Sequence, residues 1–308
     1  MSRTGWIFPG QGSQYVGMGR ELCERYKEAR LIFERAEQIL GSDLRRIAFE
    51  GPEEALKQTE QAQPAIFVLS VALARILVSM GLSPDLVAGH SLGEYSSLVA
   101  GDAMEFEDAL RLVKDRAAFM QEACKSTAGA MCAIIGLEAA PVEEICSGVA
   151  DGIVDVANIN SPGQVVISGE RDAVKTAGDE AKKRGAKRAI PLQVSGAFHS
   201  RLMRPAAEKF ESSVSSASIS SPTRGFLPNV SASLTDDAEQ IRAALVEQIC
   251  SPVRWQQTIE NMIEQGVDTF IEVGPGNVLT GLLRRINRSA VGHNVDTPAS
   301  IEAIVQAL

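Results

Sequence analysis

Apolar residues along the first part of the chain fall into short and long runs. Gly5 to Phe8 is a short apolar run closed by Pro9-Gly10, which predicts a strand and a turn. Arg20 to Leu40 reads as a helix of mixed charge, and Gln61 to Met80 as a long apolar helix. Asp85 to Gly89 predicts a strand, Ser91 to Ala100 a helix of small residues, and Phe106 to Cys124 a further helix. Strands alternating with helices point to a parallel sheet covered on both faces. Pro64 to Leu82 approaches the length of a bilayer span. Arg75 lies within it, beside Ser70 and Ser79, so a buried core helix is expected and no membrane association.

Beyond residue 126 the pattern changes. Ala128 to Leu137 predicts a strand, Ala140 to Val149 a helix, Ile153 to Asn158 and Gln164 to Ser168 two strands, Asp172 to Arg184 a charged helix, and Ala186 to Gln193 a last strand. The order β-α-β-β-α-β is the ferredoxin-like arrangement. The expected division is a core of 1–126 and 196–308 with a small inserted unit at 127–195. The serine-rich stretch 212–221 is expected to be a helix end and loop, followed by a strand at Gly225 to Val230. Gly266 to Val273 predicts a late strand and Asn277 to Arg288 a helix.

Composition narrows the classes of function. Apolar residues make 45% of the chain and charged residues 22%, the balance of a globular protein. A formal net charge of −9 argues against nucleic acid, which needs a basic surface. The five cysteines are scattered, with no C-x-x-C pair, so reduced thiols in the cytoplasm are expected rather than a disulfide framework or zinc site. No basic segment or cleavage site suggests a signal peptide. No His, Asp and Glu residues cluster at metal-ligand spacing.

Chemistry is carried by Gly89-His90-Ser91-Leu92-Gly93, a G-x-S-x-G sequence between a strand and a helix. Such a turn exposes the serine hydroxyl at the end of a parallel sheet, and the Leu92 N–H points to where an oxyanion forms. The hydroxyl needs a base. The chain has three histidines. His90 adjoins the serine and points elsewhere, and His293 lies in a polar C-terminal segment. His199, in Gly196-Ala197-Phe198-His199-Ser200 where the chain leaves the small unit, is the candidate base. The loop Phe8 to Gln14 is placed to give a second oxyanion donor. Its Gly10-Gln11-Gly12 lacks the third glycine of a dinucleotide fingerprint, since position 15 is Tyr15.

At this point the chain resembles the malonyl-CoA:acyl carrier protein transacylases. The resemblance rests on Pro9 to Gln14, Gly89 to Glu94, Ala197 to Ser200, Gln248 through Ser251-Pro252-Val253-Arg254-Trp255, and Glu272 to Leu279, in the family's order. It implies an α/β fold, an α/β-hydrolase-like core with a ferredoxin-like subdomain. It implies Ser91 as nucleophile, His199 as base, the N–H groups of Gln11 and Leu92 as the oxyanion hole, Arg116 as the clamp on the malonyl carboxylate, and Gln248 as the residue that orients His199 through its main-chain carbonyl. Read without the resemblance, Arg116 is a solvated helix arginine beside Lys114 and Asp115. Asn277 stands where the family often has lysine, in an expected helix cap. Phe198 is similar to the residue of malonyl-selective members, where a ring would crowd an α-methyl group.

The implied substrates are malonyl-CoA and the phosphopantetheine thiol of acyl carrier protein, with no bound cofactor or metal and a monomeric enzyme. Because carrier proteins are acidic, a local basic face is needed. The candidates are Lys182-Lys183-Arg184 with Lys187-Arg188, and Arg284-Arg285 with Arg288. The rival readings are a serine thioesterase or esterase, and a non-catalytic carrier-binding module.

Overall fold

In the computed structural model, which describes residues 3–126, 128–194 and 196–308, the chain builds two sheets. The elements in order are β1 (Arg3–Phe8), α1 (Arg20–Arg25), α2 (Lys27–Leu40), α3 (Leu44–Glu50), α4 (Glu53–Leu56), α5 (Thr59–Ser79), β2 (Leu86–Gly89), α6 (Gly93–Ala100) and α7 (Phe106–Ser126). Then come β3 (Gly129–Ile135), α8 (Ala139–Ser147), β4 (Val154–Ser161), β5 (Gln164–Glu170), α9 (Arg171–Lys183) and β6 (Arg188–Pro191). A short 3-10 turn at Arg201–Met203 leads into α10 (Arg204–Ser216), β7 (Gly225–Phe226), α11 (Ala238–Glu247), α12 (Trp255–Glu264), β8 (Val267–Val273), α13 (Val278–Ile286), β9 (Val291–Val295) and α14 (Pro298–Ala307).

Among the described residues, five strands form a parallel sheet in the order β7-β2-β1-β8-β9. Successive residues of a strand face opposite sides, and the two faces have separate cores. Trp6 and Phe8 pack with Val87, Ile271 and Val273 under α5, α6 and α7. Ile7, Leu86, Ala88 and Phe270 pack on the other face against Trp255, Ile259 and Leu283 of α12 and α13. A sheet buried on both faces explains the wholly apolar runs of its strands. Helix α5 is buried without interruption from Ala62 to Ala74, while Arg75 reaches solvent, so the apolar stretch is a core helix.

The second sheet has the order β4-β5-β3-β6, antiparallel throughout, the strand order of a ferredoxin-like unit. Its own core, including Ile134, Val154, Val165, Ile167 and Ala177, lies under α8 and α9. The expected junctions at Thr127 and Ser195 lie outside the described residues. The two sheets are also joined away from those junctions. Val253 donates to Ala157 O and accepts from Ile159 N, both at 2.9 Å, and the Arg201 side chain pairs with Asp155 of β4.

Several elements differ from the reading of the sequence. The helix expected at Arg20 to Leu40 is two helices, because Tyr26 is extended and the chain bends there. The bend lets Leu22 and Cys23 of α1 share one core with Ile32 and Phe33 of α2. The helix expected from Ser91 starts at Gly93, because Ser91 has φ +52°. The strand expected over Gly225 to Val230 shrinks to Gly225–Phe226, since the chain then turns inward to bury Asn229. Asn277 precedes α13 but makes no side-chain cap. The buried Glu272 carboxylate accepts from Leu279 N at 2.9 Å and Thr280 N at 2.8 Å and does that work.

Two glycines carry the joint between β2 and α6. A Cβ on Gly89 would overlap the backbone of Gly93, and one on Gly93 would overlap the carbonyl of Phe8. Gly93→Ala is therefore expected to cost about 4 kcal/mol or more, in the range of severe steric lesions. Gly41→Ala has open space and meets only its left-handed backbone (φ +67°), so it should cost about 1–2 kcal/mol. Urea denaturation of the two variants checks the difference. Equal losses would show that the joint is looser than the backbone contacts imply.

Candidate active site

The turn after β2 is strained and held. Ser91 occupies the left-handed region, which an L-residue adopts at a cost of about 1–2 kcal/mol. Asn229 compensates from the loop after β7. Its Oδ1 accepts from Ser91 N at 2.7 Å, and its Nδ2 donates to Gly89 O at 2.6 Å. The glycine loop after β1 packs on the same turn, with Gly10 pressed against the carbonyl of His90. The hydroxyl of Ser91 is thereby set at the C-terminal ends of β1 and β2, the edge of a parallel sheet where ligands bind.

His199 reaches this hydroxyl from the returning chain. Its Nε2 lies 2.7 Å from Ser91 Oγ, and its Nδ1 lies 2.8 Å from the main-chain carbonyl of Gln248. A carbonyl can only accept, so Nδ1 carries the proton and Nε2 presents its lone pair to the serine. Gln248 is the C-cap of α11, where terminal carbonyls have no donor within the helix and are free for such use. His199 is 4% exposed. Burial, and then the charge of Arg116, push its pKa down to about 3.

Arg116 is not the solvated helix residue that its neighbours suggest. It is 1% exposed, projecting from α7 beneath the serine. Its Nη1 donates to Gln63 Oε1 at 2.7 Å, and its Nη2 to Gln248 Oε1 at 2.9 Å and to Ser91 Oγ at 3.1 Å. The guanidinium carbon sits 5.7 Å from the centre of the Tyr95 ring. Among the described residues it has no carboxylate within ion-pair distance, and its Nε has no partner. Glu94 acts on it only across the Gln248 amide, so every direct partner is neutral, an arrangement that is costly and favours an anion brought from outside.

A cleft of about 370 Å³ opens above these groups, between the two sheets. Gln11, Leu92, Ser91, Arg116 and His199 line it, with Met131 and Asn158 from the small sheet and Phe198 beside the base. Among the described residues, neither Gln11 N nor Leu92 N donates to a protein acceptor, and both residues border the cleft. His90 also borders the cleft, but its Nε2 is 2.9 Å from Asn160 Oδ1 and its ring meets the edge of Trp255. His293 lies on β9 at the sheet's far edge. Among the described residues no three His, Cys, Asp or Glu side chains gather as a metal site.

The six residues expected from the sequence thus meet at one place. Three more belong to it and were not anticipated. Gln63 is a buried polar residue in a mostly apolar helix, a signal that was available in the sequence. Asn229 sits in an irregular segment and gave none. Glu94 falls within the Gly89 to Glu94 block but its contacts are made in space. Its carboxylate accepts from Asn229 N at 2.8 Å and from Gln248 Nε2 at 2.9 Å, and burial pushes its pKa up to about 7.

Comparison with known proteins agrees with this geometry. Residues 5–304 match the acyl transferase domain family. The chain is 44% identical over 310 residues to the malonyl CoA-acyl carrier protein transacylase of Bacillus subtilis (strain 168), covering 100% of this chain and 98% of that protein. It is 43% identical to the transacylase of the same name from Escherichia coli (strain K12), covering 99% and 100%. An acyl carrier protein S-malonyltransferase of Vibrio cholerae superposes with a TM-score of 0.95 at 43% identity, covering 98% and 100%. A malonyl-transacylase solved in complex with its type II PKS acyl-carrier protein superposes with a TM-score of 0.97 at 44% identity over 100% of both chains. With an acyl transferase model across nearly its whole length and transacylases as its relatives, the chain belongs to the malonyl-CoA:acyl carrier protein transacylase family.

Proposed function

We propose that this chain moves a malonyl group from malonyl-CoA to the phosphopantetheine thiol of acyl carrier protein, for fatty acid synthesis, in two half-reactions at Ser91. In the first, Ser91 Oγ attacks the thioester carbonyl while His199 Nε2 takes its proton. The carbonyl oxygen becomes an oxyanion facing the N–H groups of Gln11 and Leu92. As the C–S bond breaks, His199 returns the proton to the departing sulfur, leaving a malonyl ester on Ser91 and free coenzyme A. In the second, the carrier's thiol gives its proton to His199 and its sulfur attacks the ester. Ser91 then leaves with that proton. No electrons change hands, and the reading includes no bound metal or organic cofactor.

The observation that carries the substrate is Arg116. Its buried guanidinium, with no carboxylate in direct contact among the described residues, lies 3.1 Å from the serine hydroxyl. An acyl group bearing its own carboxylate supplies the missing anion, and the planar fork can grip it bidentately. A neutral acyl group leaves that charge uncompensated, which disfavours the esterase reading. Gln248 O serves His199 as a neutral acceptor, holding the tautomer while stabilising the imidazolium less than a carboxylate would. The same reading takes 1–126 and 196–308 as the catalytic core and 127–195 as the second wall of the cleft, in a monomeric cytoplasmic enzyme. Phe198, lining the cleft, favours malonyl over α-methylated groups.

For the carrier, the two basic clusters differ in how far their charge is spent. Lys182, Lys183 and Arg184 pair with Asp179, Glu180 and Glu144, while Lys187 and Arg188 of the same cluster are exposed and have no acidic partner among the described residues. Arg284 and Arg288 are exposed and have no acidic partner among the described residues, and Arg285 holds only Gln164. Free charge steers an acidic partner better than compensated charge. With three arginines lacking acidic partners against two such cations in the other cluster, the α13 cluster is the docking face that this reading favours.

Three outcomes test these assignments. Intact-mass measurement after mixing with malonyl-CoA should show a malonyl adduct on wild type, none on Ser91→Ala, and at least ~100-fold slower loading on Arg116→Ala. Rapid release of malonate without an adduct would instead identify a hydrolase. Arg284→Glu with Arg288→Glu should raise KM for carrier protein about 10-fold at low salt, while Lys182→Glu with Lys183→Glu should not. The reverse ranking, or no change in either, removes the α13 face.

The third outcome concerns pH. His199 titrates near 6.5 when unfolded and at about 3 here, so on acidification below pH 6.5 the unfolded chain gains a proton first and stability falls. Glu94 moves from 4.5 up to about 7, so in that window the folded chain holds the proton and stability rises on acidification. Each contributes about 1.4 kcal/mol per pH unit, and between pH 4.5 and 6.5 they cancel. Glu94→Gln should therefore lose stability on acidification more steeply than wild type, by about that amount, in denaturant titrations. An unchanged slope would mean that Glu94 titrates as an ordinary carboxylate.

A further inference from the structure

Among the buried ionisable side chains that the two half-reactions do not use, Glu94 is the carboxylate beside the serine turn. Glu94 has no solvent exposure, and it does not border the cleft. Its Oε1 has no partner among the described residues, whereas its Oε2 takes two hydrogen bonds, from Asn229 N and Gln248 Nε2. Those two partners are the residues that hold the serine turn and the guanidinium. The amide of Gln248 is therefore a bridge, with Arg116 on its oxygen and Glu94 on its nitrogen.

An amide has distinct ends, and this site needs one particular orientation. With Oε1 toward Arg116, a donor meets an acceptor. Rotated by half a turn, the NH2 group would face the guanidinium, donor against donor. Three acceptors lie around Nε2. Ser91 O, at 3.0 Å, already accepts from Glu94 N, and Asn229 Oδ1, at 3.4 Å, already accepts from Ser91 N. Glu94 Oε2 is the closest, at 2.9 Å, and the only one of the three that belongs to a carboxylate. We propose that Glu94 is a positioning residue: it fixes the Gln248 amide so that Arg116 is presented to the carboxylate of the incoming acyl group. A carboxyl keeps an accepting oxygen in either protonation state, so the task survives titration near neutrality. The proposal rests on Arg116 as the carboxylate clamp.

A side chain that merely supports the core would affect every acyl group alike, so the test compares two donors. Rates of Ser91 acylation are measured by intact mass with malonyl-CoA and with acetyl-CoA, which lacks the second carboxylate. Glu94→Met fills the space without an acceptor and should lower the malonyl-to-acetyl ratio at least ~10-fold, the loss expected when a buried charge-assisted hydrogen bond is removed. Glu94→Gln keeps an oxygen where Oε2 lies and should hold the ratio within about 3-fold of wild type, rescuing what the methionine loses. An equal fall with both donors, no fall, or a glutamine variant as selective as the methionine variant overturns the proposal. Arg116→Ala is run alongside. If it leaves the ratio unchanged, the clamp itself is wrong and the inference falls with it. If the ratio drops in Arg116→Ala but not in Glu94→Met, the inference alone fails. Should Glu94→Met not fold, Gln248→Met removes the bridge while keeping Glu94, and an unchanged ratio there is equally fatal.

Discussion

The structure turns on the tight passage of backbone between β2 and α6. Sheet and helix approach so closely there that Gly89 and Gly93 have no room for a side chain, and Ser91 must take up a left-handed conformation. Such a turn does not persist alone. It is held from three directions: by the end of β1 behind Gly93, by the glycine loop under His90, and by the side chain of Asn229 across the sheet. What the strain achieves is placement. A serine in an ordinary helical start would lie along the helix surface, whereas this one projects past the strand ends toward His199 and Arg116.

Around that serine the polar groups form one connected set rather than a list of contacts. Gln248 belongs to two of its branches, with its main-chain carbonyl on His199 and its side-chain amide between Arg116 and Glu94. The base and the cation are therefore referenced to the same helix end. Such networks are stabilising only when nearly complete, because each unpaired buried group is costly. The atoms here that lack a protein partner are Arg116 Nε, Glu94 Oε1 and the Tyr95 hydroxyl. All three lie in or beside this set, and of them Arg116 Nε is the donor that an incoming anion could take up.

Much of this was legible in the sequence because it is local. The strand, the G-x-S-x-G turn and the following helix occupy one continuous stretch from Leu86 to Ala100, and the β-α-β-β-α-β order of the small unit survives as periodicity. The blocks around Gln11, His199 and Gln248 carried the rest of the site through family resemblance. What was not legible depends on distance in the chain. Asn229 is 138 residues from Ser91, and the stretch Gly225 to Val230 that holds it read only as a strand. Arg116 was named through the resemblance alone, because by itself it looks like any helix arginine until Gln63 of α5 and Tyr95 of α6 are seen against it. The bend at Tyr26 and the two-residue β7 follow from how neighbouring elements share a core, which a linear pattern does not encode.

The pairing of β4 with Val253 has a consequence for recombination. The small unit is a contiguous insert, and its two junctions invite exchange with the equivalent part of a relative. Yet its edge strand is completed by a segment of the core that lies a few residues beyond Gln248. A chimaera cut only at those junctions would set a foreign edge against the native Val253 bridge, and any shift there would be transmitted to the carbonyl that orients the base. The exchangeable module is thus larger than the insert: it includes the short core segment that pairs with it.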